Sequence, residues 1–161
     1  MCGRYTLRTD LREIAKQFGV TEVPSMTPRY NISPTQEVAI IKVTDEAQGR
    51  EMDLYRWGLI PSWAKDPSIG SKMINARAET VAEKPSFREA LKRRRGLIPA
   101  DGFYEWARAG SRKQPYYFRM KNEQPFAFAG LWESWQSDGE RINSCTIITT
   151  EANELLRQVH E

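Results

Sequence analysis

The chain opens Met1-Cys2-Gly3, and these residues carry the most distinctive chemistry in it. Methionine aminopeptidase removes an initiator methionine when the next side chain is small, and cysteine qualifies. The shortened chain then begins with a 1,2-aminothiol, whose amine has a reference pKa of about 7.7–8.0 and whose thiol has one of about 8.5. Both groups are therefore usable nucleophiles near neutral pH. An amine condenses with an aldehyde to a Schiff base, and the neighbouring thiolate can close that imine into a five-membered thiazolidine. Gly3 leaves the adjoining backbone open to a bulky reactant. The plain alternative is that Cys2 is a small residue near a frayed terminus.

Other residues could assist such chemistry. His160 is the single histidine of the chain, the usual proton carrier near neutral pH, although a lone histidine is often structural. Glu105 lies between Tyr104 and Trp106. On a strand it either faces inward, where desolvation suits a carboxylate to general acid–base work, or alternates outward to solvent. Alternation along Asn75-Ala76-Arg77-Ala78-Glu79 sets an amide, a guanidinium and a carboxylate on one face. The bland reading of Arg77 and Glu79 is a surface ion pair. Tyr30, Trp57, Trp63 and Trp106 could stack on unpaired bases. Tryptophan is mostly a core residue, so Trp57 is assigned to packing and Trp63 to a loop surface.

These residues need elements to position them. Leu11, Ile14, Ala15 and Phe18 at helical spacing, closed by Gly19, form an amphipathic helix. Residues 21–33 form a Pro-rich loop, and residues 38–43 and 52–57 read as strands. A long irregular loop over 58–71 carries Trp63, and loops of that length are commonly functional. Ser86-Phe87-Arg88-Glu89 has the capping-box pattern and opens a short helix to about Arg94. Strands follow near 96–99, 103–106, 116–120, 126–131 and 144–149, with turn chemistry at Asp101-Gly102 and Gly110. Thr150 is set to cap a closing helix bearing Leu155, Leu156 and Val159. This order makes a single α+β domain over 1–161 with a mostly antiparallel sheet, because helices are too few for βαβ alternation.

Composition sets the outer bounds. The chain has 161 residues, 40% hydrophobic and 28% charged, which fits one globular domain. No apolar run nears the roughly 20 residues of a membrane-spanning helix, so the default location is cytoplasmic. Two cysteines, Cys2 and Cys145, suit neither a disulfide scaffold nor a metal site, and no phosphate-binding Gly-rich loop occurs. No metal and no cofactor are expected. The net charge of +3 gives a weak pull toward phosphates. The run Lys92-Arg93-Arg94-Arg95 reads as a solvated face.

Taken together, six segments resemble the SOS-response-associated peptidase family of abasic-site processing proteins. They are Met1-Cys2-Gly3-Arg4-Tyr5, Arg29-Tyr30-Asn31-Ile32-Ser33-Pro34, residues 57–63, residues 74–80, residues 99–106, and a histidine near the end of a helix. The resemblance runs from Cys2 to His160 and implies a barrel-like antiparallel fold with a few peripheral helices. It implies an enzyme that crosslinks itself to abasic sites in single-stranded DNA at replication forks, with lyase-like and self-processing peptidase activity alongside. Cys2 would form the Schiff base and then the thiazolidine. Glu105 would shuttle protons, His160 would assist sugar-ring opening, and Asn75 would hold the deoxyribose or the Cys2 backbone. Arg4 and Arg77 match phosphate contacts, Pro34 and Trp63 the wedge beside the lesion, and Trp106 and Thr149 positions lining the site. A monomer associated with the nucleoid is expected. Members of the family continue past the histidine, and no Gly or Pro stop signal follows the closing helix here, so the chain reads as truncated at its C-terminus.

Two other readings stay open. An N-terminal-nucleophile hydrolase would use the freed amine as general base for its own thiol. It needs an oxyanion hole, for which glutaminases usually supply an Asn-Gly pair, and this sequence contains none. A non-covalent single-strand binder would treat Cys2 as incidental and bind in a salt-sensitive way, indifferent to lesions.

Overall fold

The computed structural model describes residues 1–159. Its centre is a barrel closed by five strands in the order β4 (Glu51–Trp57), β3 (Glu37–Lys42), β6 (Arg95–Ala100), β9 (Phe126–Ser137) and β10 (Glu140–Thr149), with β10 pairing back onto β4. Four of these contacts are antiparallel, and the closing β10–β4 contact is parallel. Closure removes the exposed edge that an open sheet of this size would leave. The short strand β5 (Asn75–Arg77) continues along the same edge of β10, also parallel, where β4 leaves off.

A second, four-stranded sheet leans on the barrel. Its order is β2 (Arg29–Ile32), β1 (Tyr5–Leu7), β7 (Gly102–Ala109) and β8 (Arg112–Arg119), with β1 antiparallel to both neighbours. Tyr5, fully buried, meets Trp57 and Phe128 edge-on at ring-centroid distances of 5.4 and 5.6 Å, joining the two sheets through one aromatic cluster. The fold is the α+β, largely antiparallel barrel expected.

Local chemistry explains most elements. α1 (Leu11–Phe18) buries Leu11, Ile14 and Ala15, is N-capped by Asp10, whose carboxylate accepts from the Arg12 N–H, and ends at Gly19 with φ of 68°. Other expectations shift. The Ser86 capping box does not form: α2 (Arg88–Arg93) starts behind Phe87, which supplies no side-chain cap. The closing helix α3 (Glu154–Arg157) is capped by Asn153 rather than Thr150, whose hydroxyl instead bonds Glu79 at 3.1 Å. The loop expected over 21–33 ends in β2, and the region of 58–71 contains a 3-10 helix, Pro67–Lys72. Pro115 lies inside β8, which is tolerated because β8 is an edge strand.

One close backbone approach holds the long loop in place. Gly58 has φ of 131°, and a Cβ there would lie 2.5 Å from the Gly70 carbonyl oxygen. Left-handed strain and overpacking are each worth about 1–3 kcal/mol, so Gly58→Ala should cost at least ~2 kcal/mol in urea unfolding. Gly3→Ala, whose Cβ meets nothing within 4 Å, should stay within about 0.5 kcal/mol of wild type. A wild-type urea midpoint for Gly58→Ala would contradict this packing.

Candidate active site at the N-terminus

The site is assembled where β1 meets β7. Tyr5 pairs with Phe103 and Thr6 with Gly102, and the Tyr104 N–H donates to the Arg4 carbonyl at 2.9 Å. Continuing that register sets Gly3 across from Glu105. The terminal ammonium on Met1 lies 3.7 Å from Glu105 Oε1. Glu105 faces inward, 8% exposed, which decides against the solvent-facing alternative. Cys2 is 7% exposed, so the frayed-terminus alternative also falls.

Asp101 secures this arrangement from behind. Its buried carboxylate accepts hydrogen bonds from the Arg8 and Thr9 N–H groups and from the Thr9 hydroxyl. It thereby ties the exit of β1 to the corner between β6 and β7. Thr6 adds a 2.7 Å hydroxyl pair with Tyr117 of β8. Neither role is readable from the sequence, where Asp101-Gly102 signals only a turn.

β5 and the end of β10 form the facing wall. Thr149 stands level with Arg77 and Ile147 with Asn75. The Asn75 side-chain amide donates to the Ile74 carbonyl at 3.0 Å, while its buried Oδ1 has no hydrogen-bond partner among the described residues. Arg77 and Glu79 form the surface ion pair at 3.2 Å. Glu79 also accepts from the Thr150 hydroxyl and the Glu151 N–H, pinning the segment that follows β10. These walls enclose a cleft of about 300 Å³ lined by Met1, Glu105, Arg77, Thr150, Glu151 and Arg157, among others.

The remaining expected residues differ in exposure and in partners. Arg4 donates to the Asn31 side chain at 3.0 Å. Trp106, next along β7 from Glu105, is 37% exposed and tilts against Tyr104. Trp57 is fully buried while Trp63 is exposed, the division expected. Pro34 precedes Thr35, whose φ of 72° is held by a bond from its N–H to the Trp57 carbonyl. β4, β5, β6 and β10 all run toward one end of the barrel, so Pro34, Arg77 and Thr149 share that end. The His160 expectation lies outside the described residues. Arg157, which donates to the Ala152 carbonyl at 2.8 Å, is a lining residue that sequence reasoning missed.

Burial perturbs the Cys2 thiol strongly. Burial, reinforced by the Glu105 carboxylate, pushes the Cys2 thiol up from 9.0 to about 12. The Arg4 carbonyl, 3.9 Å from Sγ, accepts its weak hydrogen bond. The thiol is thus held neutral while the terminal ammonium pairs with a carboxylate.

Fold and site together define a class: a small β-barrel protein whose N-terminal strand is buried and whose backbone end reaches a cleft. Residues 1–161 match the SOS response associated peptidase (SRAP) family, and the chain belongs to that family. It is 46% identical over 166 residues to the abasic site processing protein YoqW of Bacillus subtilis, covering all of this chain and 73% of that one. It is 33% identical over 164 residues to the abasic site processing protein HMCES of Xenopus tropicalis, covering 83% of this chain and 49% of the other. A crystal structure of a Bacteroides thetaiotaomicron protein superposes with a TM-score of 0.88 at 29% identity, covering 98% of this chain and 72% of that one.

The raised thiol pKa makes a direct prediction for protein that retains Met1, prepared with the aminopeptidase inhibited. At pH 8 the thiolate fraction at Cys2 is on the order of 10⁻⁴, against ~0.1 for an unperturbed thiol. Iodoacetamide labelling of Cys2, read by peptide mapping, should be at least ~100-fold slower folded than in urea and should climb as pH rises toward 12. Glu105→Gln should move that profile to lower pH, because the carboxylate helps to raise it. Equal labelling of folded and unfolded protein at pH 8 would contradict the burial of Cys2.

Proposed function

We propose that this chain captures abasic sites in single-stranded DNA covalently, through Cys2 after Met1 is removed, and so shields the lesion during the DNA damage response. The carrying observation is the 3.7 Å contact of the Met1 ammonium with Glu105, which sets the backbone end next to buried Cys2 at a cleft lined by Glu105 and Arg77. The names of its relatives as abasic site processing proteins support the same substrate.

The chemistry follows from the groups present. An opened abasic sugar exposes an aldehyde at C1′. The lone pair of the Cys2 amine attacks that carbon, and a carbinolamine forms. Glu105, protonated by the amine it deprotonates, returns the proton to the departing hydroxyl, so one water leaves and an imine remains. The Cys2 sulfur then bonds to the imine carbon while its proton ends on the nitrogen, closing the thiazolidine with no further loss. In this reading the amine acts first and the sulfur follows by ring closure on the imine.

The other residues take positioning roles. The open Oδ1 of Asn75 would accept from a sugar hydroxyl or from the Cys2 backbone. Arg4 and Arg77 would contact phosphates. Trp63 and Pro34 would interrupt stacking beside the lesion, while Trp106 and Thr149 would flank the sugar. His160 would assist ring opening. The protein works on fork DNA as a monomer in this reading.

An abasic oligonucleotide run with the mature protein on a denaturing gel should give a band at the summed mass without borohydride. Cys2→Ala should abolish that band, whereas Cys2→Ser should give only an imine trappable by borohydride. Persistence of a heat-stable adduct in Cys2→Ala would remove Cys2 from the reaction. Glu105→Gln should slow formation and reversal together, by about 100-fold. Unchanged rates in both directions would take Glu105 off the proton path.

A further inference from the structure

The end of the barrel away from Cys2 carries a second feature that the crosslinking chemistry does not use. β3 ends there at Lys42, β4 begins there behind Arg50, α2 ends there with Lys92 and Arg93, and β6 begins there at Arg95. These side chains line a cleft of about 420 Å³ with no acidic residue among its lining groups. Strand directions separate it from the N-terminal site: β6 runs from Arg95 in this cleft to Ala100 beside the Asp101 corner.

The charges in this cleft are unevenly matched. Lys42 is neutralised by Glu51 and Asp53 at 3.2 and 2.8 Å, and Lys92 has a loose partner in Glu89 at 3.4 Å. Arg50 donates to the Phe18 carbonyl at 2.7 Å, which satisfies a donor and leaves the charge. Arg93 and Arg95 are exposed and form no ion pair among the described residues. Arg94, between them, turns inward to Glu133 at 2.9 Å. The carbonyl end of α2 accounts for cations at Lys92 and Arg93. It does not account for Arg50 or Arg95, which come from other elements. Like charges drawn into one concavity repel each other unless an anion sits between them.

We propose that this cleft is a second nucleic-acid contact, in which Arg50, Arg93 and Arg95 hold the phosphodiester backbone of a strand. Three guanidinium groups from three elements match several phosphates in succession better than one small anion, and each fork can grip a phosphate through two N–H donors. The contact is independent of sequence and of any lesion, and it does not depend on the Cys2 reaction. Lys92, Arg93 and Arg95 are exposed as a solvated face would be, while half-buried Arg94 turns to Glu133.

The test is the salt dependence of binding to undamaged thirty-nucleotide oligo-dT, followed by fluorescence anisotropy. Arg93→Ala/Arg95→Ala removes two contacts without breaking an internal bond. Each phosphate contact to a single strand contributes about 0.7 to the slope of log K against log salt. The double variant should therefore lose about 1.4 from that slope, while Arg93→Lys/Arg95→Lys should keep it. A slope and affinity unchanged in the alanine variant would overturn the proposal, and so would equal losses in the alanine and lysine variants. Crosslinking to an abasic oligonucleotide, read on the same samples, should persist at saturating DNA. Absence of crosslinking in every sample, with the slope still reduced in the alanine pair, would sink the Cys2 reaction and leave this contact standing.

Discussion

Chain termini usually fray, because their backbone groups have few neighbours to bond. Here the first strand, only three residues long, is paired on both edges and buried throughout. That double pairing sets where the N-terminus lies, and the rest of the site depends on it. Tyr104 holds the Arg4 carbonyl, Asp101 holds the residues just after the strand, and Tyr5 locks the whole segment into the aromatic cluster with Trp57 and Phe128. The Met1 ammonium then lies 3.7 Å from Glu105, and the barrel serves as a rigid frame for this end of the backbone.

Two groups on neighbouring residues meet the same carboxylate: the Met1 ammonium lies 3.7 Å from Glu105, and the Cys2 thiol is raised in part by its charge. The Glu105 carboxylate favours the protonated form of the thiol, and a carboxylate can accept the proton that an attacking amine sheds. Desolvation holds the Cys2 thiol neutral while Met1 is in place. Arg77 brings a positive charge to the rim of the cleft, tempered by its pair with Glu79. That ion pair also anchors the Thr150–Glu151 segment, so a surface salt bridge worth little in stability shapes one wall of the site.

Much of this was legible in residue types. Leu11, Ile14 and Ala15 announce their buried helix face by spacing, and Gly19 its end. Trp57 in an alternating strand and Trp63 between prolines differ in burial as their contexts suggest. Tyr5–Leu7 left no periodic signal, because three residues are too few to show a period of two. Ser86 and Thr150 carry good capping chemistry, but the chain turns into its helices elsewhere, at Phe87 and Asn153, where tertiary packing outweighs local propensity. The pairing of Asp101 with Arg8 and Thr9 spans more than ninety residues, which no local pattern encodes. Cys2, Asn75 and Glu105 were singled out by chemistry and resemblance, whereas Arg157, which lines the cleft, was not. Arg157 was missed because an arginine in a last helical turn ordinarily serves the helix dipole.

The central claim is that both groups of Cys2 end on one sugar carbon. The most direct measurement digests the adduct of mature protein and abasic oligonucleotide with nuclease and trypsin, then sequences the N-terminal peptide by tandem mass spectrometry. The account predicts the sugar remnant on Cys2-Gly3-Arg4, at the summed mass less one water, with neither a free amine nor an alkylatable thiol. A remnant on a lysine, or on Met1 of an unprocessed chain, would contradict it.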